Sequence, residues 1–224
     1  PSNRIWAGKQ LRFYHFAHSS ASYRVRIVLA LKGIEVDYRV IDMFGAEQRG
    51  DTYAALNPQK LLPCLELADG TIFGQSLAII DYLEALHPTP ALLPDDPAQR
   101  AVIMAQALMI ACDTAPLQAK LIQRYLADPC GVTEPQIVKW VEHWIRRGLE
   151  PVDEFLADRR KTGAWAGGFA GGETPGLLDV LIVPQLRNCA RFGLDVSDLS
   201  ALQSVNEACL AHPAFQAAHP DLWI

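Results

Sequence analysis

The sequence predicts an α/β N-terminal domain followed by an all-helical C-terminal domain. Three observations lead to this fold class. Strand and helix patterns alternate in the first third, a proline-rich segment follows, and apolar residues then recur at helical spacing. The chain has 224 residues, of which 50% are hydrophobic and 20% charged. Such a chain can bury a sizeable core, so we expect a folded protein of one large or two small domains.

The N-terminal third is predicted to form a small mixed sheet with helices on its faces. Gly33 ends an apolar-periodic segment and is typical of a residue that follows a helix. Asp69 and Gly70 form a turn sequence typical of a β-hairpin. The expected elements are strands over 11–15, 36–41, 62–67 and 71–73 and helices over 24–31 and 77–86.

A proline-rich linker marks the domain boundary. Four prolines lie within residues 88–97, and the residue before a proline favours extended backbone. The predicted segments are a first domain (1–88), a linker (89–97) and an all-helical domain (98–224). The helices expected in the last segment are 98–126 with a kink at Pro116, 133–157 with a capping box at its start, 177–189 and 199–210.

The composition argues against several classes of function. The net charge is −5, and no basic surface typical of nucleic-acid binding is present. The longest apolar runs, such as 177–183, are too short to span a membrane, and residues 1–10 lack the apolar core of a signal peptide. The five cysteines are widely spaced without a C-x-x-C motif, which argues against disulfides or a metal site. We therefore expect a cytoplasmic protein that binds no nucleic acid, membrane or metal.

The segment His18-Ser-Ser-Ala-Ser-Tyr-Arg-Val-Arg26 is the strongest candidate for a functional motif. It follows a short apolar run and opens a helical segment. A helix start has unpaired N–H groups and the positive end of the helix dipole, so it favours an anion such as a thiolate. The structural alternative is that the serines only cap the helix.

Several motifs together resemble the zeta class of the cytosolic glutathione transferases. The segment 18–26 resembles the class signature R-S-S-C-x-x-R-V-R, Asn57–Pro63 resembles N-P-x-x-x-V-P, and Gln75–Leu83 matches Q-S-x-A-I-I-x-Y-L. The linker 88–94, Val183-Pro-Gln and the turn from Arg191 also match. The resemblance covers nearly the whole chain and implies a thioredoxin-like domain followed by a helical domain. The class includes maleylacetoacetate and maleylpyruvate isomerases.

The resemblance implies that the protein binds glutathione. Ser19 would activate the thiol by donating a hydrogen bond to the thiolate, and Ser20 would be a supporting donor or the true helix cap. Leu62 would pair through its backbone with the cysteinyl part, before a cis bond to Pro63. The full set of implied glutathione-binding residues is Ser19, Gln48, Leu62, Pro63, Gln75 and Ser76, with Gln48 at the glycyl end and the last two at the γ-glutamyl end.

Four positions depart from the class pattern. His18 replaces an arginine, Ala21 replaces a cysteine, and Ala115 and Ala119 replace polar residues around Pro116. By resemblance, His18, Ala115 and Ala119 line the acceptor site, and the retained Arg191 would anchor a carboxylate of the substrate through its planar guanidinium. The alternative for Arg191 is a surface residue or a helix C-cap donor. Asp179 resembles the acid of a helix-capping motif, and its side chain is expected to reach back to the backbone N–H of residue 176, which implies a role in folding.

Three functions remain open from the sequence. The first is a glutathione-dependent cis–trans isomerase of maleylacetoacetate- or maleylpyruvate-like substrates. The second is a general glutathione transferase for a small apolar electrophile, which the alanines at 115 and 119 favour. The third is a non-catalytic binding protein of the same fold, which the retention of Ser19, Pro63 and Gln75 argues against. The resemblance also implies a homodimer.

Overall fold

The computed structural model describes residues 11–165 and 167–223, which form two compact units. One unit comprises the described residues up to Pro90 together with those from Pro213 onward, and the other comprises Ala91–His212. The segment from Pro213, predicted as part of the helical domain, therefore belongs to the first unit instead. Residues 1–10, predicted to lack a signal peptide, lie outside the described residues.

A four-stranded mixed sheet forms the centre of the first unit, in the order β2-β1-β3-β4. The strands are β1 (Arg12–His15), β2 (Asp37–Val40), β3 (Cys64–Glu66) and β4 (Ile72–Gly74). β1 pairs in parallel with β2 and antiparallel with β3, and β3 pairs antiparallel with β4. The predicted hairpin is confirmed, since Asp69 Oδ1 accepts a 2.8 Å hydrogen bond from the Thr71 N–H. β1, β2 and β3 are shorter than predicted, and β4 begins one residue later than predicted.

Among the described residues of the first unit, the α-helices are α1 (Ser20–Lys32), α2 (Asp51–Leu56), α3 (Ser76–Leu86) and α9 (Pro213–Ala217). α1 supplies the crossover that two parallel strands require. It ends as predicted at Gly33, whose φ of 61° lies in the left-handed region that glycine adopts readily. α2 and α9 were not predicted because elements of six and five residues are too short to show helical periodicity.

A buried arginine explains why the C-terminal segment belongs to the first unit. Arg26 is 1% exposed and donates to the carbonyl of Ala218 at 3.1 Å. It also donates to the carbonyls of Phe16 and Ala17 at 3.3 and 3.0 Å. The Trp223 ring lies 5.7 Å from the guanidinium carbon. A buried charge needs such partners, and removing the segment would expose this guanidinium and break its hydrogen bond to Ala218.

His15 lies beside Arg26 and should make the stability of the protein depend on pH. Its side chain is fully buried, and burial together with the charge of Arg26 lowers its pKa from 6.5 to about 4. Between these pH values the unfolded chain binds a proton that the folded chain does not. We therefore expect the free energy of unfolding to fall by about 3 kcal/mol as the pH drops from 6.5 to 4.

Urea unfolding measured across this pH range checks the expectation. His15→Phe keeps an aromatic ring and should remove most of the pH dependence contributed by this site. An equally steep loss of stability in His15→Phe would assign the effect to other groups.

The regular elements of the second unit are helical. They are α4 (Pro97–Leu108), α5 (Lys120–Ala127), α6 (Glu134–Lys161), α7 (Leu177–Phe192) and α8 (Ser200–Ala211). Within the described residues, no helix is long and apolar enough to cross a membrane. The capping box predicted at Thr133 is confirmed by a 3.0 Å hydrogen bond from its N–H to Gln136 Oε1.

The predicted single kinked helix over 98–126 is wrong. α4 ends at Leu108, and a π-helical turn over Met109–Thr114 follows before the chain passes through Pro116 to α5. Thr114 Oγ1 donates to the Met109 carbonyl at 2.9 Å. A side chain at Gly148 of α6 would overlap Thr114 Oγ1, so close helix packing accompanies the widened turn. Periodicity alone does not reveal such a change in helical pitch.

Candidate active site

Ser19, rather than Ser20, is the N-cap of α1. Its Oγ accepts a 3.2 Å hydrogen bond from the Ser22 N–H, and its own N–H donates to the Phe16 carbonyl at 3.1 Å. Ser20 is the first residue of the helix, and both serines are half-buried. Because the cap contact uses Ser19 Oγ as an acceptor, its hydroxyl hydrogen can still donate to a bound anion.

The loop before β3 holds Leu62 and Pro63 in a fixed shape. The Leu62–Pro63 peptide bond is cis, as the resemblance implied. The preceding carbonyl, of Leu61, accepts hydrogen bonds from the Tyr53 hydroxyl and the Asn57 amide, both at 2.7 Å. Burial raises the pKa of Tyr53, so the hydroxyl remains protonated and able to donate. The backbone directly before Leu62 is therefore anchored by two hydrogen bonds.

Gln75 and Ser76 lie at the start of α3, in a strained turn. Gln75 has φ 68° and ψ 116°, a backbone conformation that residues other than glycine rarely adopt. It is exposed, and its Nε2 donates to Gln59 Oε1 at 3.0 Å. Ser76 is the first helical residue, where a helix favours an anion, and its Oγ accepts a 3.5 Å hydrogen bond from buried Arg24. Strain of this kind typically marks a ligand-binding turn.

Gln48 lies in a short 3-10 helix and is 6% exposed. Its Oε1 has no hydrogen-bond partner among the residues that the structure describes. Buried polar atoms are nearly always paired, so an unpaired amide oxygen at this position is consistent with a partner outside the chain.

His18 belongs to a cluster of three aromatic rings with Phe16 and Phe44. The centroids of His18 and Phe16 lie 5.6 Å apart, and those of Phe16 and Phe44 lie 5.2 Å apart. Phe44 is 82% exposed. No pattern in the sequence identifies Phe44, because it lies in a loop without periodicity.

The segment around Pro116 is held by a buried pair of glutamine side chains. Gln118 and Gln185 of α7 exchange two amide hydrogen bonds, of 2.5 and 3.1 Å. Ala115 and Ala119, both half-buried, flank this segment. Ala119 is the N-cap position of α5 and makes no side-chain cap, so the asparagine expected there by resemblance would also have stabilised the helix.

Arg191 lies in the last turn of α7 and is exposed. Desolvation and the positive charge of Arg187 lower the pKa of its guanidinium, which nevertheless stays protonated at neutral pH. The two arginines are four residues apart and share one helix face, which concentrates positive charge. The sequence reasoning missed Arg187, although its spacing from Arg191 could have identified it.

The protein's own thiols do not supply a nucleophile at the start of α1, where Ala21 stands. Cys64, Cys189 and Cys209 are buried, and burial raises the pKa of each, to about 11 for Cys189. The described residues also contain no group of three acidic, histidine or cysteine side chains able to hold a metal ion. The chemistry supported here is stabilisation of a bound anion at the α1 N-terminus.

Comparison with known proteins agrees with this chemistry. Residues 18–86 match the family described as glutathione S-transferase, N-terminal domain. The maleylacetoacetate isomerase of Pseudomonas aeruginosa is 38% identical over 212 residues, which cover 94% of this chain and 96% of that protein.

Solved structures show the same similarity. A maleylpyruvate isomerase, described as a bacterial zeta-class glutathione S-transferase, superposes with a TM-score of 0.87 at 35% identity, covering 93% of this chain and 96% of the other. The maleylacetoacetate isomerase of Anaeromyxobacter dehalogenans with bound glutathione has a TM-score of 0.82 at 40% identity, with 95% of each chain covered. The same enzyme has also been crystallised with dicarboxyethyl glutathione and citrate in its active site. That structure is 38% identical, has a TM-score of 0.83, and covers 96% of this chain and 93% of the other.

Proposed function

Because the chain belongs to the glutathione transferase family, in its zeta class, we propose that it is a glutathione-dependent cis–trans isomerase. Its substrates would resemble maleylacetoacetate or maleylpyruvate. Such molecules contain a cis double bond conjugated to a carbonyl, and they carry a carboxylate. The observation that carries the proposal is the position of Ser19, a half-buried hydroxyl at the N-terminus of a 13-residue helix. The similarity of relatives named as these isomerases supports the choice of substrate.

The residues present fit glutathione along its whole length. The strained turn at Gln75 and Ser76 would bind the γ-glutamyl carboxylate, and the backbone of Leu62 would pair with the cysteinyl amide. Gln48 Oε1, which has no hydrogen-bond partner among the described residues, would accept a hydrogen bond from the glycyl N–H. Glutathione would supply the thiolate that adds to the cis double bond and leaves after rotation, so it is not consumed.

Ser19 would hold this thiolate by donating its hydroxyl hydrogen, while the N–H groups of the first turn of α1 supply further positive potential. Both effects favour the charged form of the thiol, whose ordinary pKa near 8.5 leaves little anion at neutral pH. Addition of the thiolate forms a C–S bond and moves the electrons of the double bond onto the substrate carbonyl, which becomes an enolate. Rotation then occurs about what has become a single bond, and expulsion of the thiolate restores the double bond in the trans form. Cationic side chains near the substrate would stabilise the negative charge of the enolate.

Arg191 would bind the carboxylate of the acceptor, with Arg187 adding to the local positive potential. We expect Arg191→Ala to raise KM for maleylacetone about 30-fold, because a hydrogen-bonded charge pair is lost. Arg191→Lys should recover part of the affinity, because it keeps the charge without the planar fork. The kinetics of a neutral acceptor should not change, and equal losses for charged and neutral acceptors would contradict a carboxylate site.

The second candidate is a general glutathione transferase that conjugates or dechlorinates an apolar electrophile. Ala115 and Ala119 favour it, because the polar groups that the class places around Pro116 are missing. The non-catalytic alternative has no specific observation in its favour, since the strained Gln75 and the capping Ser19 are both retained.

Cis-to-trans conversion of maleylacetone or maleylpyruvate, followed with and without glutathione, tests the proposal. Fast conversion that requires glutathione and is reduced in Ser19→Ala would establish the isomerase. A protein that binds glutathione but converts neither substrate would exclude it and favour the transferase.

We also propose a homodimer in the cytoplasm. Large apolar side chains lie exposed along α4, α5 and α6, including Val102, Leu121 and Val138 at 45, 59 and 55% exposure, and such surfaces favour association. Five cysteines without a disulfide are typical of a reducing compartment. Light scattering of the purified protein would determine its mass in solution.

A further inference from the structure

Phe44 is held in an exposed position by its own loop. The Phe44 N–H donates to Asp42 Oδ1 at 2.9 Å, and the Asp42 N–H donates to Glu47 Oε2 at 2.7 Å. The Glu47 N–H donates to the Asp42 carbonyl at 2.9 Å. A side chain at Gly45 would meet Asp42 Oδ2, at 2.6 Å from the added Cβ, so the turn is also sterically defined. These contacts fix the loop backbone, although the ring it presents remains 82% exposed.

The exposed ring adjoins the loop that carries the candidate thiol-activating serine. Phe44 lies edge-on to Phe16 at an interplanar angle of 83°, and its centroid lies 6.3 Å from that of His18. The backbone carbonyl of Phe16 accepts the hydrogen bond from the Ser19 N–H, and His18 directly precedes Ser19 in the chain. A group attached to a sulfur atom at Ser19 would therefore lie close to the aromatic cluster.

The cluster has the chemistry of a surface for flat, unsaturated groups. Aromatic rings bind planar π systems in edge-on or offset arrangements better than they bind saturated chains of similar size. The two carboxylates of the same loop, on Asp42 and Glu47, are exposed and disfavour a negatively charged group here. The neutral conjugated part of an acceptor fits this surface better than its carboxylate end.

We propose that Phe16, His18 and Phe44 form the binding surface for the planar conjugated part of the acceptor, with Phe44 as a specificity-determining residue. This inference rests on the proposed function, because it places the glutathione sulfur at Ser19. It narrows the acceptor class to planar unsaturated or aryl-bearing electrophiles and disfavours saturated alkyl electrophiles.

Binding of two unreactive thioethers tests the proposal without turnover. S-benzylglutathione carries a flat ring beside the sulfur, whereas S-methylglutathione lacks it, and calorimetry would give Kd for both. We expect the wild-type protein to prefer the benzyl compound. Phe44→Ala should lower that preference about 3- to 10-fold, with little change in Kd for the methyl compound.

Two further variants separate a specific role from a general one. Phe44→Tyr keeps the ring and should keep the preference. Leu222→Ala removes a side chain of similar exposure, 69%, elsewhere in the same unit, and should leave both affinities unchanged. Because Phe44 and Leu222 are largely exposed, all three variants should fold normally.

The proposal is overturned if the wild-type protein shows no preference for the benzyl compound, or if Phe44→Ala keeps the preference. It is also overturned if Phe44→Ala weakens the binding of both compounds equally, because the loop would then contact the glutathione moiety that the two compounds share. An aromatic preference in a protein that fails to isomerise maleylacetone would refute only the proposed isomerase function.

Discussion

Ser19→Ala should lower glutathione-dependent turnover at neutral pH about 100-fold. The substitution removes a hydrogen bond to a charged atom, and such a bond contributes about 1.5–3 kcal/mol. The thiolate would then be stabilised only by the N-terminus of α1. The pKa of bound glutathione should rise towards that of the free thiol, so activity should recover as the pH increases.

The ultraviolet absorbance of the thiolate, followed as a function of pH in the glutathione complex, measures this pKa directly. Ser19 also caps α1, so Ser19→Ala should lose about 1 kcal/mol of stability, which a denaturation curve records separately. Ser20→Ala keeps the cap and the Ser19 hydroxyl and should lose far less activity. An unchanged thiol pKa in Ser19→Ala, with a raised one in Ser20→Ala, would assign the catalytic role to Ser20.

Asp179→Ala should have the largest effect on stability. The carboxylate is fully buried at the start of α7 and accepts hydrogen bonds from the N–H groups of Ala170, Gly171 and Gly176, at 2.7, 2.9 and 2.8 Å. Removing it leaves three N–H groups without their acceptor. We expect a loss of about 4 kcal/mol and a decrease in Tm of more than about 8 °C.

Urea unfolding followed by circular dichroism checks this value. Asp179→Asn keeps one acceptor oxygen and should lose less stability than Asp179→Ala. Glu173→Ala, an exposed acidic residue in the same loop, is the matched control and should stay within about 0.5 kcal/mol of the wild-type protein. A loss below about 1 kcal/mol in Asp179→Ala would mean that water replaces the carboxylate at the three N–H groups.

Local patterns in the sequence were sufficient for most of the fold. The alternation of strands and helices, the Asp69-Gly70 turn and the capping box at Thr133 all depend on residues close together in the chain, and the structure contains each of them. The same holds for Gly33, whose left-handed conformation ends α1. Asp179 also reaches back to Gly176, three residues earlier, as the sequence predicted.

The errors arose where distant residues decide the local conformation. The π-helical turn over Met109–Thr114 accompanies the close approach of α6 at Gly148, which no pattern within the predicted helix reveals. The C-terminal segment was assigned to the wrong unit because its partner, Arg26, lies 192 residues earlier than Ala218. Asp179 likewise accepts hydrogen bonds from the N–H groups of Ala170 and Gly171, in addition to the predicted one from Gly176.

The sequence by itself determined the fold class, the family and the set of candidate residues, because motifs and periodicity are properties of the chain. Only the tertiary structure decided that Phe44 packs beside Phe16 and His18, and that Gln118 pairs with Gln185. These features depend on contacts between segments that are remote in sequence, and the free energy of such contacts comes from burial and hydrogen bonding in the folded chain.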